Sequence, residues 1–361
     1  MAEPLCPYFR KCAGCTTQHL DYSLQLENKK KKILDGTRIN EAEVFSAEPY
    51  YYRNRMEFFW KEKSLCLRGK KSELVQIDRC VIAEEKINGL MKEINCFFQE
   101  KDDFHGVVIR VTKQSSSLSF TLKSGFSEEI VDTIKEFSTI TTAEKVIITF
   151  ISSFDEFYSD NYIVIKGEEY LEEELLGRRF KFSIQGFFQN NTIMAEKMQK
   201  YVSGLLEKYT TQKAELLDLY SGVGTFGIIN GDKFEKVTLV ESFAPAVELA
   251  KKNMIENKIK NGQAYALTGE QIGRIKFNPD LYVITDPPRI GMEQRSIAEL
   301  NRLKPHLIVY VSCNVEQLKK DLLKFKNYVV KSAALFDLFP QTNHSEAVVE
   351  LVLTTKEDLK K

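Results

Sequence analysis

The chain predicts an α/β protein. Its carboxyl-terminal half reads as a doubly wound, mostly parallel sheet, preceded by an α+β central domain and a cysteine-rich amino-terminal segment. Three observations predict this. From residue 194 onward helical and extended periodicities alternate, the pattern of successive βα units. A short apolar run, 216–220, ends in a turn whose Gly222, Gly224 and Gly227 are spaced G-x-G-x-x-G, and a second run, 236–241, follows. Between 44 and 180, short β-type runs predominate instead (65–67, 107–111, 118–122, 146–151 and 162–165), with helical stretches at 84–100 and 128–137.

At the amino end, Cys6, Cys12 and Cys15 fall within ten residues, spaced C-x5-C-x2-C, so their thiols can converge on one metal centre. Cys80, in Gln76-Ile77-Asp78-Arg79-Cys80, is the best fourth ligand. Four thiolates suit zinc or an iron–sulfur cluster, and the spacing leaves both open. Cys66 and Cys96 sit in apolar or amphipathic runs and read as structural. Seven cysteines, an odd number, without a recognisable signal peptide, argue against a secreted disulfide framework. Residues 20–39 read as a helix, with Leu24, Leu26 and Ile33 on its apolar side and Lys29 to Lys32 as a solvated face or an RNA contact. At Tyr51-Tyr52-Arg53-Asn54-Arg55 aromatics and cations alternate. Tyr52, Arg53 and Arg55 are therefore candidates to meet unstacked bases and phosphates, with an ordinary edge strand as the other reading.

The chemistry-bearing residues fall where strands end. Glycines in the first turn let a backbone approach a nucleoside-containing cofactor closely, and Glu241, about 20 residues on, is placed to hold ribose hydroxyls. That motif equally suits NAD. The apolar run that ends in Val283-Ile284-Thr285 leads into Asp286-Pro287-Pro288-Arg289, a rigid extended turn that presents Asp286 at the sheet edge. A third run, 306–311, ends at Cys313 just before a helical pattern, a position that favours the thiolate. Finally, Phe339-Pro340-Gln341-Thr342-Asn343-His344-Ser345-Glu346 is a polar turn entering a strand, with Glu346 at its mouth as a candidate general base.

Five segments in this order (Phe187-Phe188-Gln189-Asn190-Asn191, DLYSGVGTFG, DPPRIG, YVSCN and FPQTNHSE, spanning 187–346) resemble the RNA uridine-C5 methyltransferase family. The resemblance implies a class I S-adenosylmethionine-dependent fold and formation of 5-methyluridine in tRNA or ribosomal RNA. It further implies Cys313 as nucleophile, Glu346 as base and Asp286 near the cofactor or the pyrimidine edge. Gln189, Tyr220, Gly222, Gly224, Thr225 and Glu241 would bind the cofactor, and Phe188 and Arg289 would contact RNA. Many relatives carry a [4Fe–4S] cluster on a similar cysteine pattern, which points Cys6, Cys12, Cys15 and Cys80 to that group. Two departures stand out. Ser221 replaces a cysteine often found after the tyrosine. Arg289 stands where amino-group methyltransferases carry an aromatic residue, which argues against amine chemistry.

The implied organisation is a cluster segment (1–15), a helical segment packing on the catalytic domain (16–47), a central RNA-binding domain (48–186) and a catalytic domain (187–361). Zero net charge conceals +4 over 1–82, −9 over 83–178 and +5 over 179–361, so the two ends would face RNA. No apolar stretch reaches membrane-spanning length, and a cytoplasmic monomer is expected. Without an appended TRAM barrel the chain resembles compact relatives that modify a large-subunit (23S) rRNA hairpin, with tRNA close behind. The alternatives are a non-catalytic RNA-binding protein on the same fold and an NAD-dependent oxidoreductase; the latter has no use for Cys313 and the Pro287-Pro288 turn together.

Overall fold

A computed structural model describes residues 1–71, 73–99, 104–123, 126–153, 156–209 and 213–354. After the cysteine-rich loop come helix α1 (Tyr22–Thr37) and the short strand β1 (Glu43–Phe45). The central domain follows as β2 (Arg55–Lys61), β3 (Ser64–Arg68), β4 (Leu74–Gln76), α2 (Glu85–Phe97), β5 (Gly106–Val111), β6 (Ser116–Lys123), α3 (Glu128–Ile140), β7 (Lys145–Ile151) and β8 (Tyr162–Lys166). Its seven strands run β4-β3-β2-β5-β6-β7-β8, antiparallel except for β6–β7, which the α3 crossover makes parallel. All five expected β-type runs and both expected helices are present; Glu100, at the end of one expected helix, lies outside the described residues.

Strands β9 (Tyr170–Leu175) and β10 (Arg178–Ser183) form a hairpin. Its turn residues Leu176 and Gly177 both have positive φ, 51° and 74°, the twist that a tight hairpin requires. The expected boundary at 186 is corrected here. Leu171, Leu175, Phe180 and Phe182 of the hairpin join the core of the second sheet, and its backbone is held by Asn253 and Asn257.

That second sheet is built from α4 (Thr192–Glu207), β11 (Glu215–Leu219), α5 (Thr225–Asn230), β12 (Lys236–Glu241), α6 (Ala244–Glu256), β13 (Gly262–Ala266), β14 (Leu281–Thr285), α7 (Gln294–Leu303), β15 (Leu307–Ser312), α8 (Val315–Leu322), β16 (Tyr328–Phe336) and β17 (Glu346–Leu353). Its order is β1-β16-β17-β15-β14-β11-β12-β13. Strands β11 to β15 are mutually parallel; β11, β12, β14 and β15 are buried on both faces and read as mainly apolar runs, whereas β13 is the half-exposed edge. β17 lies antiparallel between β15 and β16. The strand order reverses about β11, the place where open α/β sheets bind ligands beyond their carboxyl ends.

Helix α1 packs on this sheet through β16 and α8, with the expected Ile33 and Leu26 against the core but polar residues buried beside them. Leu24 is exposed, whereas Gln25, Lys29, Ile33, Gly36 and Thr37 are buried. Lys29 is thus no part of a solvated face. It sits in an ion pair with Asp337 at 2.6 Å, both side chains almost fully enclosed, and also donates to the Phe339 carbonyl. Replacing Lys29 by Met strands the Asp337 carboxylate and is expected to cost about 3–5 kcal/mol of stability, the scale for breaking a buried pair. Lys29→Met/Asp337→Leu should recover most of it in urea unfolding. A loss under about 1 kcal/mol in the single variant would show that the pair contributes little.

Candidate active site

Parallel strands deliver their carboxyl ends to one edge of the sheet, and antiparallel β17 delivers its first residue to that same edge. In this way Tyr220 after β11, Glu241 ending β12, Asp286 after β14, Cys313 after β15 and Glu346 opening β17 are gathered from distant parts of the chain. The register makes this explicit, since Ala347 lies opposite Ser312.

Cys313 is half-buried. The next residue, Asn314, caps α8 by accepting from the Gln317 N–H and donates from Nδ2 to the Arg289 carbonyl at 2.9 Å. One side chain thereby ties the cysteine junction to the paired-proline turn. That turn is fixed from its far end by buried Asp321, which accepts from the Met292 N–H (3.0 Å) and the Tyr310 hydroxyl (2.8 Å). Gly291 is needed between them, because its φ is 82° and a Cβ would stand 2.3 Å from an Asp321 oxygen.

Electrostatics at Cys313 reverse the expectation of a favoured thiolate. Burial, then the Glu346 and Asp286 carboxyls, push the thiol up to about 12, with Arg289 opposing. The helix end at Val315 does not outweigh two neighbouring acids. Glu346 is 4% exposed; burial and then Asp286 hold it well above the usual carboxylate range, against Arg289. Asp286 is raised as well, by burial. Two carboxyls that share a dry site cannot both ionise easily, so at least one retains a proton near neutrality.

In the glycine-rich turn Tyr220, Gly222 and Gly224 all have positive φ. Nothing lies within 4 Å of where a Gly222 Cβ would stand, so the turn opens onto free space. Thr225 begins α5, and the Tyr220 hydroxyl donates to Glu293. Glu241 accepts from the N–H groups of Gly222 (3.1 Å) and Phe243 (2.8 Å). Asp218, missed as a site residue, accepts from the Gly227 N–H at 2.7 Å and is pushed up to about 7 by burial. Its signal in the sequence was an acid one residue before the end of an apolar strand.

The loops beside the cleft are held by the central domain. Arg110, buried in β5, donates to the carbonyls of Gly186 (2.7 Å) and Phe188 (2.9 Å). Asn54 donates to the Gln189 carbonyl (3.1 Å), and the Tyr52 hydroxyl to that of Pro340 (2.9 Å). Two expected RNA contacts are corrected by this packing. Tyr52 is 6% exposed, and Phe188, stacked on Phe182 at 4.2 Å, is 5% exposed. Phe187 points outward instead, 76% exposed, a phase that the doubled Phe left undecided. Arg55 is paired with Glu57, Arg53 is half-buried, and Arg289 is exposed with Nη2 3.0 Å from His344 Nδ1.

Cys6, Cys12, Cys15 and Cys80 line one cavity of about 410 Å³. All seven cysteines are free; Cys66 is buried elsewhere, and Cys96 is exposed rather than packed. Burial raises all four cavity thiols, Cys15 to about 12, with neighbouring thiols adding at Cys12, Cys15 and Cys80 and Asp78 at Cys6. Among the described residues no group of three or more His, Cys, Asp or Glu side chains is set closely enough for a metal ion. None of the described helices is long and apolar enough to cross a membrane.

Comparison with known proteins places this geometry. The tRNA (uracil-5-)-methyltransferase family profile matches residues 21–354. An uncharacterized RNA methyltransferase of Caldanaerobacter subterraneus is 31% identical over 96% of this chain and 84% of its own length. The tRNA (uracil(54)-C(5))-methyltransferase of Pyrococcus abyssi is 31% identical over 97% of this chain and 86% of its own. The crystal structure of the Pyrococcus abyssi tRNA (uracil-54, C5)-methyltransferase in complex with S-adenosyl-L-homocysteine superposes with a TM-score of 0.80 at 28% identity, covering 94% of this chain and 86% of that one. The chain therefore belongs to the tRNA (uracil-5-)-methyltransferase family and is an RNA (uracil-C5)-methyltransferase.

Proposed function

We propose that the protein methylates C5 of a loop uridine in tRNA, with S-adenosylmethionine as methyl donor and Cys313 as covalent nucleophile. The observation that carries this reading is the convergence of Cys313, Asp286 and Glu346 beside the glycine-rich turn, on four separate strand ends. Uracil C5 is too weak a nucleophile to take a methyl group unaided. Addition of the Cys313 thiolate to C6 turns the ring into an enolate whose C5 can attack an electrophilic carbon. The thiol proton passes to the Asp286 carboxylate, which leaves Glu346, ionised at that step, free to accept the later proton. After transfer, Glu346 removes the C5 proton and the thiolate leaves. A raised carboxyl is the stronger base, which suits it to a carbon-bound proton.

The donor, when bound, supplies a sulfonium-activated methyl. Gly222, Gly224 and Thr225 would line it, Glu241 would hold its ribose, and Gln189, Tyr220 and Asp286 would flank it. The open space at Gly222 and the bound S-adenosyl-L-homocysteine of the Pyrococcus relative support this placement. A uridine stacked in a helix cannot reach Cys313, so the base must flip from a loop. The substrate named for the Pyrococcus relatives favours tRNA over the 23S rRNA hairpin that the sequence suggested. Labelled methyl transfer to unmodified tRNA and rRNA transcripts, with the product mapped, tests both. Transfer to neither would leave a non-catalytic RNA-binding role.

For the four clustered cysteines the proposed occupant is a [4Fe–4S] cluster. The supports are a thiol-only donor set and thiols that surround a cavity instead of meeting at one point. Methyl transfer needs no electron, so the cluster would organise the amino-terminal loop against β2 to β4. Anaerobically purified protein should be brown, with iron and sulfide each near about four per chain. Cys12→Ser should lose the colour, whereas Cys66→Ser should keep it. Stoichiometric zinc without sulfide would assign the site to zinc instead.

A further inference from the structure

Helix α1 carries four consecutive lysines, and among the described residues Lys29 alone is anchored, to Asp337 and the Phe339 carbonyl. Residues three apart share a helix face, and Lys32, like Lys29, adds to the positive field at His344 in the 337–345 loop. In that loop His344 is exposed and lies 3.0 Å from the exposed Arg289 guanidinium, whose carbonyl is tied to Asn314 beside Cys313. Lys32 and Arg289 make no ion pair with any carboxylate among the described residues. Arg289 of the DPPRIG turn and Lys32 of α1 thus both act on His344, on the chain segment that leads into Glu346.

We infer that Lys32, Arg289 and His344 form a seat for the phosphodiester adjoining the flipped uridine. The inference rests on the reading of the pocket as a uridine site and deepens it. His344 carries the field of this group. Burial first, then Arg289, Lys29, Arg53 and Lys32, hold its imidazole below the ordinary histidine range. A neutral imidazole ringed by cations is a hydrogen-bond donor in a positive field, and an incoming phosphate relieves that field. The seat also explains how one base is presented. Fixing the backbone beside a nucleotide restricts the directions in which its base can swing, and the Arg289 backbone is tied to Asn314, next to Cys313.

The probe is a hairpin RNA with one loop uridine, in a normal form and in a form with a neutral methylphosphonate linkage beside that uridine. Wild-type protein should bind the neutral form more weakly and with a shallower salt dependence, by roughly 0.7 in the slope of log K against log salt for one contact. Lys32→Gln and Arg289→Gln, both at exposed positions, should lower binding of the normal RNA and bind the two RNAs alike, with S-adenosylmethionine binding retained. Equal wild-type binding of the two RNAs on either side of the uridine overturns the seat, as does full discrimination in Lys32→Gln/Arg289→Gln. The outcomes are separable from those of the methylation reading. Wild-type discrimination without methyl transfer to any uridine RNA upholds an anion seat and removes the uridine assignment. Transfer without discrimination does the opposite.

Discussion

With RNA carrying 5-fluorouridine at the target position, the wild-type protein is expected to accumulate a covalent protein–RNA adduct, and Cys313→Ala none. Fluorine at C5 cannot leave as a proton, so the reaction halts after methyl transfer with the Cys313–C6 bond intact. On normal RNA the Ala variant should lose turnover by a factor on the order of 10⁴ or more, the scale seen when a covalent nucleophile is removed. The thiol's high resting value adds a pH signature. With the thiolate a minority form below about 12, adduct formation should climb as pH rises through neutrality. Denaturing gel shift with labelled RNA reads the adduct. An undiminished adduct in Cys313→Ala would assign the nucleophile elsewhere.

Glu346→Gln should separate addition from elimination. Gln keeps the shape of the side chain and cannot accept the C5 proton, so methylated RNA should remain bonded to Cys313 even when ordinary uridine is the substrate. Turnover is expected to fall by about 10²–10⁴-fold, the usual contribution of a positioned base. Stability supplies an independent reading. Glu346 and Asp286 are raised in the folded protein, so they contribute stability that is full below the ordinary carboxylate range and lost as pH rises through their raised values. Glu346→Gln removes one buried carboxyl and should flatten that decline, leaving the variant at least as stable as wild type at neutral pH. Wild-type turnover by Glu346→Gln would move the base to another group.

Local pattern accounts for much of this protein. Mainly apolar runs over 216–220, 236–241 and 306–311, and the run ending before Asp286, form strands, and the turns after them place residues at one sheet edge. Cys313, Asp286 and Glu346 were legible because each follows or opens such a run. The three clustered cysteines were legible from spacing alone, and Cys80 does line their cavity.

What the sequence by itself determined, then, was which elements form and where their ends lie, since periodicity and turn chemistry are local. The tertiary structure decided which face of each element is covered. Apolar period assigned α1 the face of Leu24, Leu26 and Ile33; Ile33 is buried and Leu26 packs on the core, but Leu24 is exposed and the buried face also carries Gln25 and Lys29, because their partners Gln341 and Asp337 lie some three hundred residues away in sequence. Tyr52 and Phe188 read as exposed aromatics until Pro340 and Phe182 were found against them. Cys313 illustrates the same limit in its chemistry. A helix start nearby is visible in sequence and favours a thiolate, but burial of the thiol, reinforced by two carboxyls brought in by β14 and β17, raises it instead, because losing water costs the charged form more than a partial dipole returns.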